Sequence, residues 1–354
     1  MNDAFLRDQW YTAARSDEVG SKPLARKICN QHLVLFRGAS GRAVILQDRC
    51  AHRMAPLSLG EVVGDEIRCG YHGACFDAGG NCTEIPSQRD LPIAPGVAVK
   101  SYPTHEAHGL VFVWFGDPNS VDQSQIPVWM TKNTEPGWIA FHGYHYIKGN
   151  YQLLIDNLLD LTHLTYLHKG TLAGPGIDET PMDVEIDGDI IRTSRVIRNV
   201  DPPLIQKAVR GLSGKVDRWQ LSEFNAPMYV LVTIGMEPAN TTDTLLIPIH
   251  LVLNSATPED ETNTHYFWSA VSRTDDAELA HRFFTLTHGA FDEDATMIAA
   301  QQANINAAPA GQSLAYFRGD NAGAAARRIV RRRLDQQALG DGRNLHRRSS
   351  VATP

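Results

Sequence analysis

Short apolar alternations occupy the first third of the chain and predict strands over Leu33–Arg37, Ala43–Gln47 and Gly109–Phe115, separated by turns rich in Gly, Pro and Asn. From Asp117 to Pro127 the pattern stops: this stretch is polar, has two prolines and no period, and is the expected domain boundary. The expected organisation is therefore a domain over 1–116, a linker over 117–127 and a second domain over 128–354. In that second domain Trp138–Ile147 alternates as a strand, Tyr151–His168 reads as a helix apolar almost all round, and Asp183–Ile197 reads as a hairpin turning at Asp187-Gly188. Met228–Met236, Thr244–Asn254 and His265–Arg273 have the β-branched and aromatic content of a central antiparallel sheet. Ala277–Asn304 predicts a helix interrupted at Gly289, and Ala322–Ala338 a basic helix. Few strand-helix-strand alternations occur. The fold class expected is α+β: an all-β N-terminal domain, then an antiparallel sheet embraced by helices in a helix-grip-like arrangement.

A chain of 354 residues has enough length for two cores. Its formal charge of −7 argues against nucleic acid as a partner. The N-terminus has early acids and no apolar run, so neither a signal nor a transit peptide is expected. The apolar runs are strand-length, so no membrane span is expected either. Of five cysteines, Cys29, Cys75 and Cys82 are left over once a metal centre takes two. That odd set offers no disulfide framework and fits a reducing cytoplasm.

The metal centre is expected from Cys50-Ala-His52 and Cys69-Gly-Tyr-His72, separated by sixteen residues. Two loops that each offer one thiolate and one imidazole suit a Rieske 2Fe-2S cluster, in which two cysteines hold one iron and two histidines the other. Neutral imidazole in place of thiolate withdraws negative charge and eases reduction. Tetrahedral zinc is the alternative, but zinc sites usually pair two cysteines and then two histidines. Gly70, Gly73, Gly79 and Gly80 also crowd the second loop, as close backbone approach to a cluster would require.

A second centre is expected further on. In the predicted helix Asp156, Asp160 and His163 fall in one stripe of an apolar surface, where they must pair or bind something. His163 and His168 are about 140° apart on a regular helix, so a bulge or helix end is expected between them. Two imidazoles and one carboxylate on one face of an iron leave positions open for dioxygen. The alternative is a pair of core histidines satisfied by hydrogen bonds.

The stretch from Cys50 to Gln88 resembles the Rieske domain of Rieske non-haem iron oxygenases. The cytochrome bc branch carries a further cysteine in each cluster loop, joined as a disulfide, and Ala51–Leu59 contains none to pair with Cys75. Asn157-x2-Asp160-x2-His163-x4-His168 is similar to the mononuclear iron motif of the same family. The resemblance implies that His163, His168 and a downstream carboxylate hold iron. Phe291-Asp-Glu-Asp294 fits the last, with Asp294 chosen and Asp292 and Glu293 as competitors whose alternative role is helix-start charge. It further implies that Asp160 hydrogen-bonds His163 and, across a subunit interface, His72, and hence a homotrimer. Asn157 would lie near the iron without ligating it.

The chain resembles the oxygenase components of vanillate O-demethylase and like aromatic-acid monooxygenases, through Trp10-Tyr11, Val216-Asp-Arg-Trp-Gln220, Thr257-Pro-Glu259 and Gln301-Gln302. This implies O2-dependent O-demethylation or hydroxylation of a substituted aromatic acid. Electrons from NAD(P)H would pass through a separate reductase with flavin and a ferredoxin-type iron-sulfur centre. Two alternatives stand: oxidation of a different aromatic or heterocyclic substrate, and an electron carrier whose second domain binds a ligand. His250 and Asn254 share a strand face and either bind substrate or are ordinary strand polar groups. His142 and His145 fall on opposite faces, against a third metal site. Arg327, Arg328, Arg331, Arg332 and Arg333 form either a solvated helix face or a docking surface for an acidic reductase.

Overall fold

The computed structural model describes residues 4–169, 172–202, 214–239, 250–309 and 311–349, with side chains to residue 340. The chain divides into two compact units, Met1–Ile126 and Pro127–Pro354.

The first unit is built from short strands: β1 (Gln9–Arg15), β2 (Leu24–Ile28), β3 (Gln31–Arg37), β4 (Ala43–Gln47), β5 (Glu61–Val63), β6 (Glu66–Arg68), β7 (Cys75–Phe76), β8 (Cys82–Glu84), β9 (Thr104–Ala107) and β10 (Leu110–Phe115). They form antiparallel sheets ordered β1-β10-β9, β2-β3-β4 and β5-β6-β7-β8. Alternate residues of β3 and β4 (Val34, Phe36, Leu46) meet Leu57, Ile67 and Phe76 in one core, which also encloses Cys50 and Cys69. The stretch expected as a linker is folded here. Asp117 and Asp122 cap short 3-10 turns, and Asp122 accepts from Trp10 Nε1 at 2.9 Å. These side-chain caps explain how a segment without apolar period still has a fixed path.

The second unit is one seven-stranded antiparallel sheet, β11-β17-β16-β15-β14-β13-β12. Its strands are β11 (Ile139–Ile147), β12 (Asp183–Asp187), β13 (Ile190–Val200), β14 (Val216–Asn225), β15 (Tyr229–Pro238), β16 (His250–Pro258) and β17 (Thr264–Ser272). Helix α1 (Tyr151–Leu159) lies across β14, β15 and β16, α2 (Ala277–Ala307) along β11 and β17, and α3 (Asn321–Ser349) against β12, β13 and α1. Two glycines set the sheet's packing. A Cβ on Gly235 would enter the Trp219 ring of β14, and one on Gly143 the Trp268 ring of β17, so each tryptophan lies flat over a bare backbone.

Several expectations change. The helix from Tyr151 ends at Leu159, because Asp160 takes an extended backbone (φ −107°, ψ 94°) and its carboxylate accepts from Thr162 N, starting a 3-10 turn over Leu161–Thr165. The stripe of Asp156, Asp160 and His163 on a continuous helix is thereby dissolved. Asp156 instead pairs with Arg327 of α3, Nε to Oδ2 3.0 Å. Helix α2 runs unbroken through Gly289, whose helical penalty of about 1 kcal/mol is outweighed by burial of Phe283, Ala290 and Phe291. In the strand expected over Thr244–Asn254, residues 244–249 lie outside the described residues. The arginines of α3 are mostly paired: Arg331 with Asp335, Arg332 and Arg333 with Asp189 at the β12-β13 turn, and Arg327 as above. They do not form an unbroken free basic patch. No helix among the described residues is long and apolar enough to cross a membrane.

Candidate iron centres

The two Cys/His loops repeat one backbone design. Cys50 N donates to Ala55 O and Met54 N to Cys50 O, at 2.8 and 2.9 Å. Cys69 N donates to Ala74 O and Gly73 N to Cys69 O, at 2.8 and 3.0 Å. The fifth residue of each loop is left-handed, Met54 at φ 56° and Gly73 at φ 77°. Both cysteines are buried, whereas His52 and His72 are exposed, their ring centroids 4.5 Å apart. Burial pushes the Cys50 thiol up, and the adjacent Cys69 adds to this against backbone N–H bonds from His52 and Arg53. A Cys50 thiol held in this way would ionise against the positive charge of a bound metal. Two groups among the described residues bring three ligand atoms within single-ion reach, and both lie outside these loops. The crowding glycines answer to protein instead: a Cβ on Gly70 would stand 2.6 Å from Leu59 O, so Gly70 lets the two loops close on each other.

One of those two groups is His163, His168 and Asp294, whose ligand atoms lie within 4.8 Å of one another. The 3-10 turn and the turn after it carry the histidines; buried Asp294 comes from α2. His163 Nδ1 donates to the Asp160 carbonyl at 2.6 Å, and His168 Nδ1 to Glu293 Oε2 at 2.6 Å. With the proton held on Nδ1, each ring turns an Nε2 lone pair toward Asp294 Oδ1, at 3.6 and 3.3 Å. Asn157 Nδ2 donates to the same Oδ1 at 2.8 Å and approaches His163 Nε2 at 3.4 Å. Burial pulls the His163 pKa down. For His168 burial also opposes charge, but Asp294 and Glu293 outweigh it and raise the pKa. Two imidazoles in the ligating tautomer and one carboxylate fit a mononuclear iron with open positions.

The other group, His145, His288 and Asp292, has a different chemistry. Trp268 Nε1 donates to His145 Nδ1 at 3.0 Å, so the His145 proton sits on Nε2 and points at Asp292 Oδ1, 3.2 Å away. His145 is a donor there, with no lone pair to offer. His142 bonds Ser269 instead.

The remaining expected residues fall as follows. Asp160 meets His163 through its backbone carbonyl, while its carboxylate caps Thr162 N at 2.9 Å. Asn254 is fully buried, donating to Val230 O and Val252 O and accepting from Tyr266 Oη. His250 bonds Ser272 and stacks on Phe283. Neither lines the cavity beside His163, His168 and Asp294, although their strand neighbour Val252 does. Sequence reasoning missed the partnership of Glu293 with His168, and gave Arg218 and Gln220 no part in the site although both line that cavity. Arg218 stands between Asp217 and Trp219, so its sequence neighbours do not mark it as buried.

A Rieske-type loop pair in one unit and a histidine-carboxylate triad under the helix-covered sheet of the other define a Rieske non-haem iron oxygenase, an oxidoreductase. Residues 9–103 match the Rieske [2Fe-2S] domain, and residues 147–336 match the vanillate O-demethylase oxygenase C-terminal domain. The chain belongs to the vanillate O-demethylase oxygenase family, and its cofactors are a Rieske 2Fe-2S cluster and a mononuclear non-haem iron. It is 38% identical to a putative toluene-4-sulfonate monooxygenase iron-sulfur subunit of Comamonas testosteroni, over 86% of this chain and 90% of that protein. With a vanillate O-demethylase oxygenase subunit of a Pseudomonas species it shares 36% identity, over 93% and 95% respectively. The crystal structure of dicamba monooxygenase bound to 3,6-dichlorosalicylic acid superposes with a TM-score of 0.88 at 30% identity, covering 94% of this chain and 99% of that one. The chain is thus an oxygenase component of the Rieske O-demethylase and monooxygenase class.

Proposed function

We propose that this oxygenase acts on a substituted aromatic acid of the vanillate type, by O-demethylation or hydroxylation. Relatives named for vanillate, dicamba and toluene-4-sulfonate support an anionic aromatic substrate. The observation that carries the reading is the apolar cavity lined by Leu158, Leu161, Leu164 and Phe291 together with His163, His168 and Asp294. Such walls exclude water and hold a flat ring beside the three polar groups.

His163, His168 and Asp294 are the proposed iron ligands, and Cys50, His52, Cys69 and His72 the proposed cluster ligands. When bound, the cluster supplies single electrons and the iron supplies the oxidising power of O2 toward a C–H bond. The protein's own part is orientation. Asp160 O and Glu293 keep both imidazole protons on Nδ1, and Asn157 steadies the Asp294 carboxylate. For an aryl methyl ether the balance is ether, O2, NAD(P)H and a proton giving phenol, formaldehyde, water and NAD(P)+. A separate reductase supplies the electrons.

We place Asp160 at a contact between subunits of a head-to-tail homotrimer, facing His72 of a neighbour. His52 and His72 are exposed, Tyr71 packs against His72, and Met54 and Leu59 of the first loop are exposed too, apolar surface that supports burial against a partner. The test is turnover of methoxybenzoates with NADH, O2 and a reductase, read as formaldehyde. Substrate-dependent NADH and O2 consumption with matching formaldehyde is expected. Hydroxylated product without formaldehyde would replace demethylation by ring or methyl hydroxylation.

A further inference from the structure

Arg218 and Gln220 stand two apart on β14, so both side chains leave one face of the sheet, and both line the cavity that holds His163, His168 and Asp294. They are 3% and 1% exposed. Among the described residues Nε and Nη1 of Arg218 have no hydrogen-bond partner, and neither has Nε2 of Gln220. A second arginine decides which way the amide faces. Arg195 Nε lies 2.6 Å from Gln220 Oε1, and because guanidinium only donates, that contact must be the amide oxygen. The amide NH2 is therefore the end left over. Arg195 itself is complete, with its other nitrogens on the carbonyls of Leu161 and Ile177.

The unmet groups of Arg218 and Gln220 are thus all N–H donors, while Asn157 Oδ1, beside Asp294, is an unmet acceptor in the same cavity. Burial pushes the Arg218 pKa down to about 9, and the like charge of Arg195 adds to the effect. Among the described residues no acidic side chain forms an ion pair with Arg218. A buried cation without counter-charge is strongly unfavourable, and buried donors without acceptors are unfavourable too. A ligand with an oxyanion at one end and an apolar body at the other relieves both at once, since a carboxylate or sulfonate brings the counter-charge and acceptor oxygens for these donors. The apolar body would lie along Leu158, Val232 and Phe291, which line the same cavity.

We propose that Arg218 and the Gln220 amide form an anion anchor in the cavity, gripping the carboxylate or sulfonate of the substrate and selecting acids over neutral aromatics. This rests on the reading of the cavity as the substrate site and adds the residues that set its charge preference. Arg195 acts as a positioning residue, through Gln220.

The experiment is calorimetric titration of the iron-loaded oxygenase, anaerobic and without reductase, with 4-methoxybenzoate, 4-methoxybenzenesulfonate and neutral 4-methoxybenzamide. The acids should bind roughly 10- to 100-fold tighter than the amide, the range of a charge-assisted hydrogen-bond pair. The tighter of the two acids identifies the headgroup. Arg218→Met should level the three affinities, and Arg218→Lys should keep part of the preference. Free of ligand, Arg218→Met should melt no lower than the parent, because it removes an uncompensated buried charge. Gln220→Leu, which leaves the arginine in place, should weaken acid binding while sparing the amide. Equal affinity of the parent for acid and amide overturns the proposal, as does a folded, iron-replete Arg218→Met protein that still prefers acids. Formaldehyde release separates this from the demethylase reading. Selective acid binding without demethylation sinks that reading and leaves the anchor. Equal demethylation of acid and amide with equal affinity does the reverse.

Discussion

His168 Nδ1 lies 2.6 Å from Glu293 Oε2 while its Nε2 lies 3.3 Å from Asp294 Oδ1, so one imidazole spans two consecutive carboxylates of the same helix. The two acids do different work. Glu293 accepts the ring proton and thereby aims the opposite lone pair, and Asp294 shares the point at which that lone pair arrives.

Glu293→Ala should therefore weaken mononuclear iron binding by about 10- to 100-fold, as loss of such an outer partner does. The visible spectrum of the Rieske cluster should be unchanged. Iron retention under competition with a chelator measures it. Retention equal to the parent's would mean that His168 needs no help in holding its tautomer.

His163→Ala removes one of the converging Nε2 groups and leaves the Cys/His loops untouched. The expected protein carries one iron fewer per chain, keeps the reduced-state paramagnetic signal of the cluster, and has no turnover. Iron and labile-sulfide analysis checks the first point and electron paramagnetic resonance the second. Full iron content in the variant would rule His163 out as a ligand.

Asp160→Asn tests a residue with two proposed jobs. Asparagine still accepts from Thr162 N, so the 3-10 turn and the iron should survive. If the carboxylate also faces a neighbour's His72, electron delivery slows sharply, seen as slowed single-turnover reoxidation of the cluster. A variant with parental rates would leave Asp160 as a cap alone.

Gly235→Ala introduces a methyl where the Trp219 ring lies on the backbone. Loss of about 1–3 kcal/mol of stability is expected from this overpacking. Thermal melting measures the loss, and because Trp219 sits between Arg218 and Gln220, binding of 4-methoxybenzoate should weaken as well. A melting curve that coincides with the parent's would mean that the ring moves aside freely.

What the sequence by itself determined is local. Each Cys/His loop has its cysteine and histidine within four residues, so spacing alone writes the Rieske pattern, and the hairpin at Gly188 follows from a two-residue turn with a left-handed glycine. The alternating strands were legible for the same reason, since burial on one face writes a period of two.

The tertiary structure decided whatever depends on direction. Asp292, Glu293 and Asp294 are neighbours in sequence, but successive steps around α2 send them to His145, to His168 Nδ1 and to the point between the two histidines. Asn254, polar in a strand and so a candidate for substrate, is consumed by two carbonyls and a tyrosine hydroxyl. Arg218 has the opposite history: in sequence it is one more strand arginine among many that find partners, such as Arg192 with Glu223. Its significance comes from what surrounds it, because the cost of a charge is set by the groups within a few ångströms in space, which strand order and sheet curvature choose and residue order does not.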